Sequence, residues 1–148
     1  RVAVKDLLLS REGDLANGTD FFTITLPSGR KLYYANPGTR ENSWGSQVIT
    51  YKSSNQTSGK WETTDTYGGK LTENVVQAIA RDCLAVSIKR LTEKGFKIVM
   101  HIHDEVVIEA PMETTVDEVC EIMGQDIEWA EGLILRADGF ETMYYKKD

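Results

Sequence analysis

Between Lys70 and Lys94 apolar side chains recur at spacings of three and four: Leu71, Val75, Ile79, Cys83 and Val86, with Val76, Ala80 and Ser87 widening the stripe. That period matches the turn of an α-helix and predicts one long amphipathic helix over the span. Gly95 is its natural stop, because glycine closes a helix in left-handed geometry at least cost. Two β-rich runs follow, Phe96–His101 (FKIVMH) and Glu105–Ala110 (EVVIEA). Their link, Ile102-His103-Asp104, is far too short for a crossover, so the runs must return on each other as an antiparallel hairpin. A long helix feeding a tight hairpin makes the chain α+β.

Upstream of the helix the pattern is β-like. Phe21–Leu26 (FFTITL) and Arg30–Ala35 (RKLYYA) flank Pro27-Ser28-Gly29, which predicts another hairpin, closed by Asn36-Pro37-Gly38. Ser46–Tyr51 predicts a strand and Lys60–Thr66 its partner, across a polar loop at Lys52–Gly59. Val2–Leu9 is apolar-rich and reads as the end of a helix, and Arg11–Asp20 reads as a polar link with Asn17-Gly18 as its turn. Downstream, Thr114 and Thr115 before Asp117-Glu118 open a short helix whose apolar face is Val116, Val119, Cys120 and Met123. Leu133–Ala137 and Glu141–Tyr145 resemble strands around Asp138-Gly139.

Several classes are excluded by composition. The apolar runs are only a few residues long, against the roughly 20 that span a bilayer. Charges at Arg1, Lys5 and Asp6 stand where a secretory signal would be apolar. The chain opens on Arg1 rather than Met, which fits processing, a cloned boundary or a cut within a longer protein. Cys83 and Cys120, with two His and no Cys-x-x-Cys, fit reduced thiols of a cytosolic protein better than a disulfide or a zinc site. The net charge of −6 is unevenly spread: residues 22–100 carry +5 and residues 101–148 carry −10. The middle suits phosphates and the tail does not, although a solvated acidic surface explains the tail equally well.

The chemistry concentrates at His101-Ile102-His103-Asp104-Glu105-Val106-Val107. Adjacent carboxylates at a hairpin tip repel each other and resist desolvation. A hard divalent cation removes that difficulty, since Mg²⁺ prefers carboxylate oxygens and keeps waters that a phosphate can displace. Taken alone, Asp-Glu is equally at home in a solvated turn.

The helix Tyr67-Gly68-Gly69-Lys70-Leu71-Thr72-Glu73-Asn74-Val75-Val76-Gln77-Ala78-Ile79-Ala80-Arg81-Asp82, followed by a strand, His-Asp-Glu and a second strand, resembles the C-terminal palm of family A DNA polymerases, nearest the phage and prophage branch. Leu26–Tyr34 (LPSGRKLYY) resembles the hairpin that follows the fingers in that family, and Leu135–Asp148 is similar to the ends of its phage members. The resemblance covers most of residues 22–148 with its motifs in order. It implies a partial polymerase palm, an antiparallel sheet with a central motif C hairpin packed on the long helix. It divides the chain into a β-rich hairpin region at 22–66 and the palm at 67–148. Asp104 would hold catalytic Mg²⁺ or Mn²⁺, Glu105 would support it, and His103 would contact the primer end. Gln77 would reach the minor-groove side of primer–template DNA. Arg81, on the face of Gln77, would touch phosphate unless it pairs with Asp82 or Glu73. The family position one turn before Gln77 is often Asn; here it is Glu73, with Asn74 beside it, so the contact at 73–74 departs from the pattern.

The resemblance also marks what is missing. Asp6, Asp14 and Asp20 do not stand in a motif A strand, and no fingers helix for the triphosphate is found. The chain therefore reads as a C-terminal piece of a cytoplasmic polymerase of a bacterial or phage-infected cell, inactive alone, whose parent uses primer–template DNA and deoxynucleoside triphosphates. Two rivals remain: a metal-dependent nuclease adding Glu109 or Asp138 to the pair, and a non-enzymatic prophage remnant that binds a partner. Without a motif A neighbour, the hairpin edge is also expected to support a homodimer.

Overall fold

The computed structural model describes residues 7–14 and 18–146. It contains two compact units, one ending at Ile79 and the other beginning at Ala80.

The first unit is a five-stranded antiparallel meander in chain order: β1 (Leu8–Asp14), β2 (Thr19–Thr25), β3 (Lys31–Glu41), β4 (Gln47–Ser54) and β5 (Trp61–Thr66). The β2–β3 turn forms at Pro27-Ser28-Gly29 as predicted. Leu26 N–H donates to the Arg30 carbonyl at 2.8 Å, and Gly29 takes the φ of +84° that glycine tolerates without strain. Asn42 and Asn55 shape the next two turns, each side-chain oxygen accepting two backbone N–H groups.

Three local expectations give way to the ladder. Asn36-Pro37-Gly38 does not close the hairpin: β3 runs through it, with a bulge between Ala35 and Gly38. Proline has no N–H to offer a ladder, so a bulge is where a strand accepts one. Leu8 and Leu9, read as helix, and Arg11–Asp14, read as a link, form β1 against β2 in the register Leu8↔Thr25 to Asp14↔Thr19. The rest of the Val2–Leu9 helix prediction, and Asn17, lie outside the described residues. The Lys52–Gly59 loop begins only after Ser54, because β4 continues in register with β5.

One sheet face is buried through Ile24, Leu26 and Tyr34, and the opening half of the helix α1 (Gly68–Glu93) adds Val75, Ala78 and Ile79 to that core. Two polar ties fix it there. Asn74 Nδ2 donates to the Tyr34 hydroxyl at 3.1 Å, and the Arg30 guanidinium donates to the Ala78 carbonyl at 2.9 Å. Val76 and Ala80, expected to widen the apolar stripe, are exposed instead.

The second unit holds the rest of α1, the hairpin β6 (Lys97–Ile102) and β7 (Glu105–Glu109), α2 (Val116–Met123) and one 3-10 turn at Glu128–Ala130. α1 ends at Gly95 as predicted. Gly95 N–H bonds the Thr92 carbonyl and Phe96 N–H the Leu91 carbonyl, the paired closure that a left-handed glycine (φ +89°) permits. Cys83, Leu84, Leu91, Ile122 and Ile127 form the core. Thr115 caps α2 by accepting from Glu118 N–H, with Asp117 and Glu118 favourably placed in the first turn. Arg90 donates to the carbonyls of Gln125 (2.9 Å) and Asp126 (2.6 Å), tying the chain after α2 to the helix. Both cysteines are free, and burial pushes both thiols up from their ordinary pKa.

Here too the prediction fails where pairing is non-local. Leu133–Ala137 and Glu141–Tyr145 form no strand. Among the described residues β6 and β7 pair with each other as a two-stranded sheet. No helix among the described residues is long and apolar enough to cross a membrane.

Candidate functional site

The hairpin tip is set by its register. Ile102 pairs with Glu105, leaving His103 and Asp104 as a two-residue loop. Such loops need primed-turn geometry with positive φ, which Asn-Gly or Gly normally supplies. Here His103 supplies it, at φ +51°. A side chain in left-handed geometry costs about 1–2 kcal/mol, a cost usually found where the turn has a use.

His103, Asp104 and Glu105 are all exposed, and neither carboxylate makes an ion pair or side-chain hydrogen bond among the described residues. The tip therefore presents two adjacent, unpaired carboxylates and an imidazole on a rigid two-stranded stem. Lys97 and Glu109 close the opposite end of the stem with an ion pair of 2.6 Å.

This donor set suits a hard divalent cation as part of a cage. Mg²⁺ is commonly held by one or two protein carboxylates, with water and substrate phosphate completing six positions. Among the described residues no cluster of three or more His, Cys, Asp or Glu side chains gathers. The two extra carboxylates of the nuclease rival are placed elsewhere. Glu109 is roughly 15 Å along the strand from the tip and is already held by Lys97. Asp138 accepts the Gly139 N–H at 2.8 Å and lies near Cys120, whose thiol it helps burial to raise.

The helix residues form their own group. Gln77 is exposed on α1 and donates to Glu73 at 3.3 Å, while Glu73 is paired with Lys70 at 3.0 Å. Arg81, one turn on, is exposed. It makes neither of the two ion pairs that the sequence allows it, with Glu73 or with Asp82. Asn74 is committed to Tyr34, so it serves the packing of the helix on the sheet.

The strain at His103 was not legible in the sequence. The short gap between two β-rich runs signalled a primed turn, but Asn or Gly, the usual sign of positive φ, is absent.

The chain is 52% identical over 127 residues to a DNA polymerase of Bacillus phage SP02. The match covers 84% of this chain and 19% of the relative, so the chain spans about a fifth of that polymerase's length. No protein-family model matches the chain, and no solved structure matches it.

Proposed function

We propose that this chain is the C-terminal palm piece of a family A DNA polymerase, whose whole protein adds deoxynucleotides to a primer 3′ end. The observation that carries the reading is the hairpin tip: two unpaired, exposed carboxylates and a strained histidine, in a sequence half identical to a phage DNA polymerase.

In this reading Asp104 is a metal-holding carboxylate, and Glu105 adds negative potential beside it. The divalent cation, Mg²⁺ or Mn²⁺, would stabilise the charge that develops on attacking and leaving oxygens during phosphoryl transfer. His103 holds the primer terminus from the first, exposed position of the loop. Gln77 addresses the DNA minor groove, its amide available once it exchanges Glu73 for a base or sugar. Arg81 offers an unengaged guanidinium to phosphate. One carboxylate pair supplies only part of a two-metal site, so the 148 residues alone do not extend a primer.

Primer extension by the full-length protein is the test. Asp104→Ala should abolish extension while DNA binding persists, and Gln77→Ala should weaken primer–template handling more than nucleotide affinity. In the 148-residue chain, Mn²⁺ should broaden NMR signals of His103–Glu105 only weakly. Tight stoichiometric binding, or extension by the chain itself, refutes the reading.

A further inference from the structure

We propose that the outer face of the five-stranded sheet is a stacking platform for single-stranded nucleic acid, built from Tyr33, Lys52 and Trp61. It is independent of the hairpin-tip reading, since every group it uses lies in the sheet.

The register places these side chains together. Residues directly opposite each other in a ladder share a face. Tyr33 is opposite Thr23, Ala35 is opposite Lys52, Lys52 is opposite Thr63, and Ser54 is opposite Trp61. The β3–β4 ladder closes at Ala35↔Lys52, and Tyr33, two residues back on β3, lies on the same face. Ser54 and Trp61 pair two residues on from Lys52, which puts Trp61 on that face too. Lys52 stands diagonal to Trp61 across the β4–β5 ladder and diagonal to Tyr33 at the end of the β3–β4 ladder.

These rings are not packed away. Tyr33 is 57% exposed and Trp61 62% exposed, values far outside those of aromatic side chains recruited to a core. Tyr33 is nonetheless held, by an edge-to-face contact with Phe21 at 5.8 Å between centroids. An ordered, exposed ring is what a base needs to stack on.

The charge of the face favours a polyanion. Two acidic groups of this face, Glu12 and Asp65, are answered by Lys31 (2.5 Å) and Arg40 (2.7 Å). Lys52 makes no ion pair among the described residues. A free cation beside exposed rings suits a single strand, whose unstacked bases meet the rings while its phosphates meet the lysine. A duplex offers no free base faces along its length.

The test is fluorescence anisotropy of a labelled oligothymidine titrated with the 148-residue chain at several salt concentrations. Tyr33→Ala and Trp61→Ala should each weaken binding by about fivefold or more, whereas Tyr33→Phe and Trp61→Phe, which keep the rings, should retain it. Lys52→Ala should lower the slope of log affinity against log salt by about 0.7, and Lys52→Glu should abolish binding without removing a ring. Trp44 is 87% exposed at the β3–β4 turn, at the other end of β4, so Trp44→Ala should bind as the parent does. The proposal is overturned if the oligonucleotide does not bind, if the matching duplex binds as tightly, or if Trp44→Ala costs as much as Trp61→Ala.

Discussion

The sheet and the hairpin tip treat their carboxylates in opposite ways. In the sheet, Asp20 is gripped by both arms of the Arg11 guanidinium at 2.8 and 2.5 Å, Asp65 by those of Arg40 at 2.8 and 2.7 Å, and Glu12 by Lys31. Each cation's hydrogen bond holds its carboxyl below the usual carboxylate range. At the hairpin tip Asp104 and Glu105 stand side by side with no such partner. Bidentate pairs fix a strand register and contribute to folding; adjacent unpaired carboxylates contribute nothing to folding and repel each other. Negative charge left uncompensated on a strained turn makes sense as a place for a cation to bind.

The contrast is broken most directly by exchanging the two kinds of carboxylate. Asp104→Asn in the full-length protein should lower primer extension by about a thousandfold or more, the scale on which transition-state charge stabilisation is lost. It should leave the unfolding free energy within about 0.5 kcal/mol, as for surface changes that break no contact. Asp20→Asn should do the reverse, lowering the urea midpoint of the 148-residue chain.

That second loss has a defined pH dependence. Asp20 has a folded pKa depressed by Arg11, so its stabilisation is complete above the ordinary aspartate value of about 4 and fades as pH falls through the lower folded value. Urea midpoints of the chain and of Asp20→Asn should therefore converge in acid. A difference that grows as pH falls would contradict the assignment.

A smaller effect tests the strain. His103→Gly should raise the unfolding free energy by about 0.5 kcal/mol, the relief of left-handed geometry less the entropy of glycine, while reducing extension in the full-length protein. The smallest concerns the hairpin edges. β6 and β7 pair only with each other among the described residues, and Val99 is exposed at the β6 bulge. Light scattering should show molar mass rising with concentration, and Val99→Lys should suppress the rise. A constant monomer mass for the parent chain removes the case for edge pairing.

How far the sequence reached depended on where each element's partners lie. The span of α1, its glycine closure, the Thr115 cap, the turn at Pro27-Ser28-Gly29 and the Asp104–Glu105 tip all follow from residues within a few positions of each other. Helix hydrogen bonds, caps and tight turns are closed by chain neighbours, so local sequence determines them. The sequence also placed Gln77 and Arg81 one turn apart, since helical spacing alone does that.

Only the tertiary structure decided the rest. β1 exists because β2 lies beside it, and β3 passes through Asn36-Pro37-Gly38 because β4 holds both sides of the bulge. Leu133–Ala137 and Glu141–Tyr145 have strand-like composition but form no ladder among the described residues. Strand hydrogen bonds are supplied by residues distant in sequence, and no local pattern reports whether that partner is present. The shared face of Tyr33, Lys52 and Trp61 belongs to the same class, because three separated segments share a face only once the register between them is fixed.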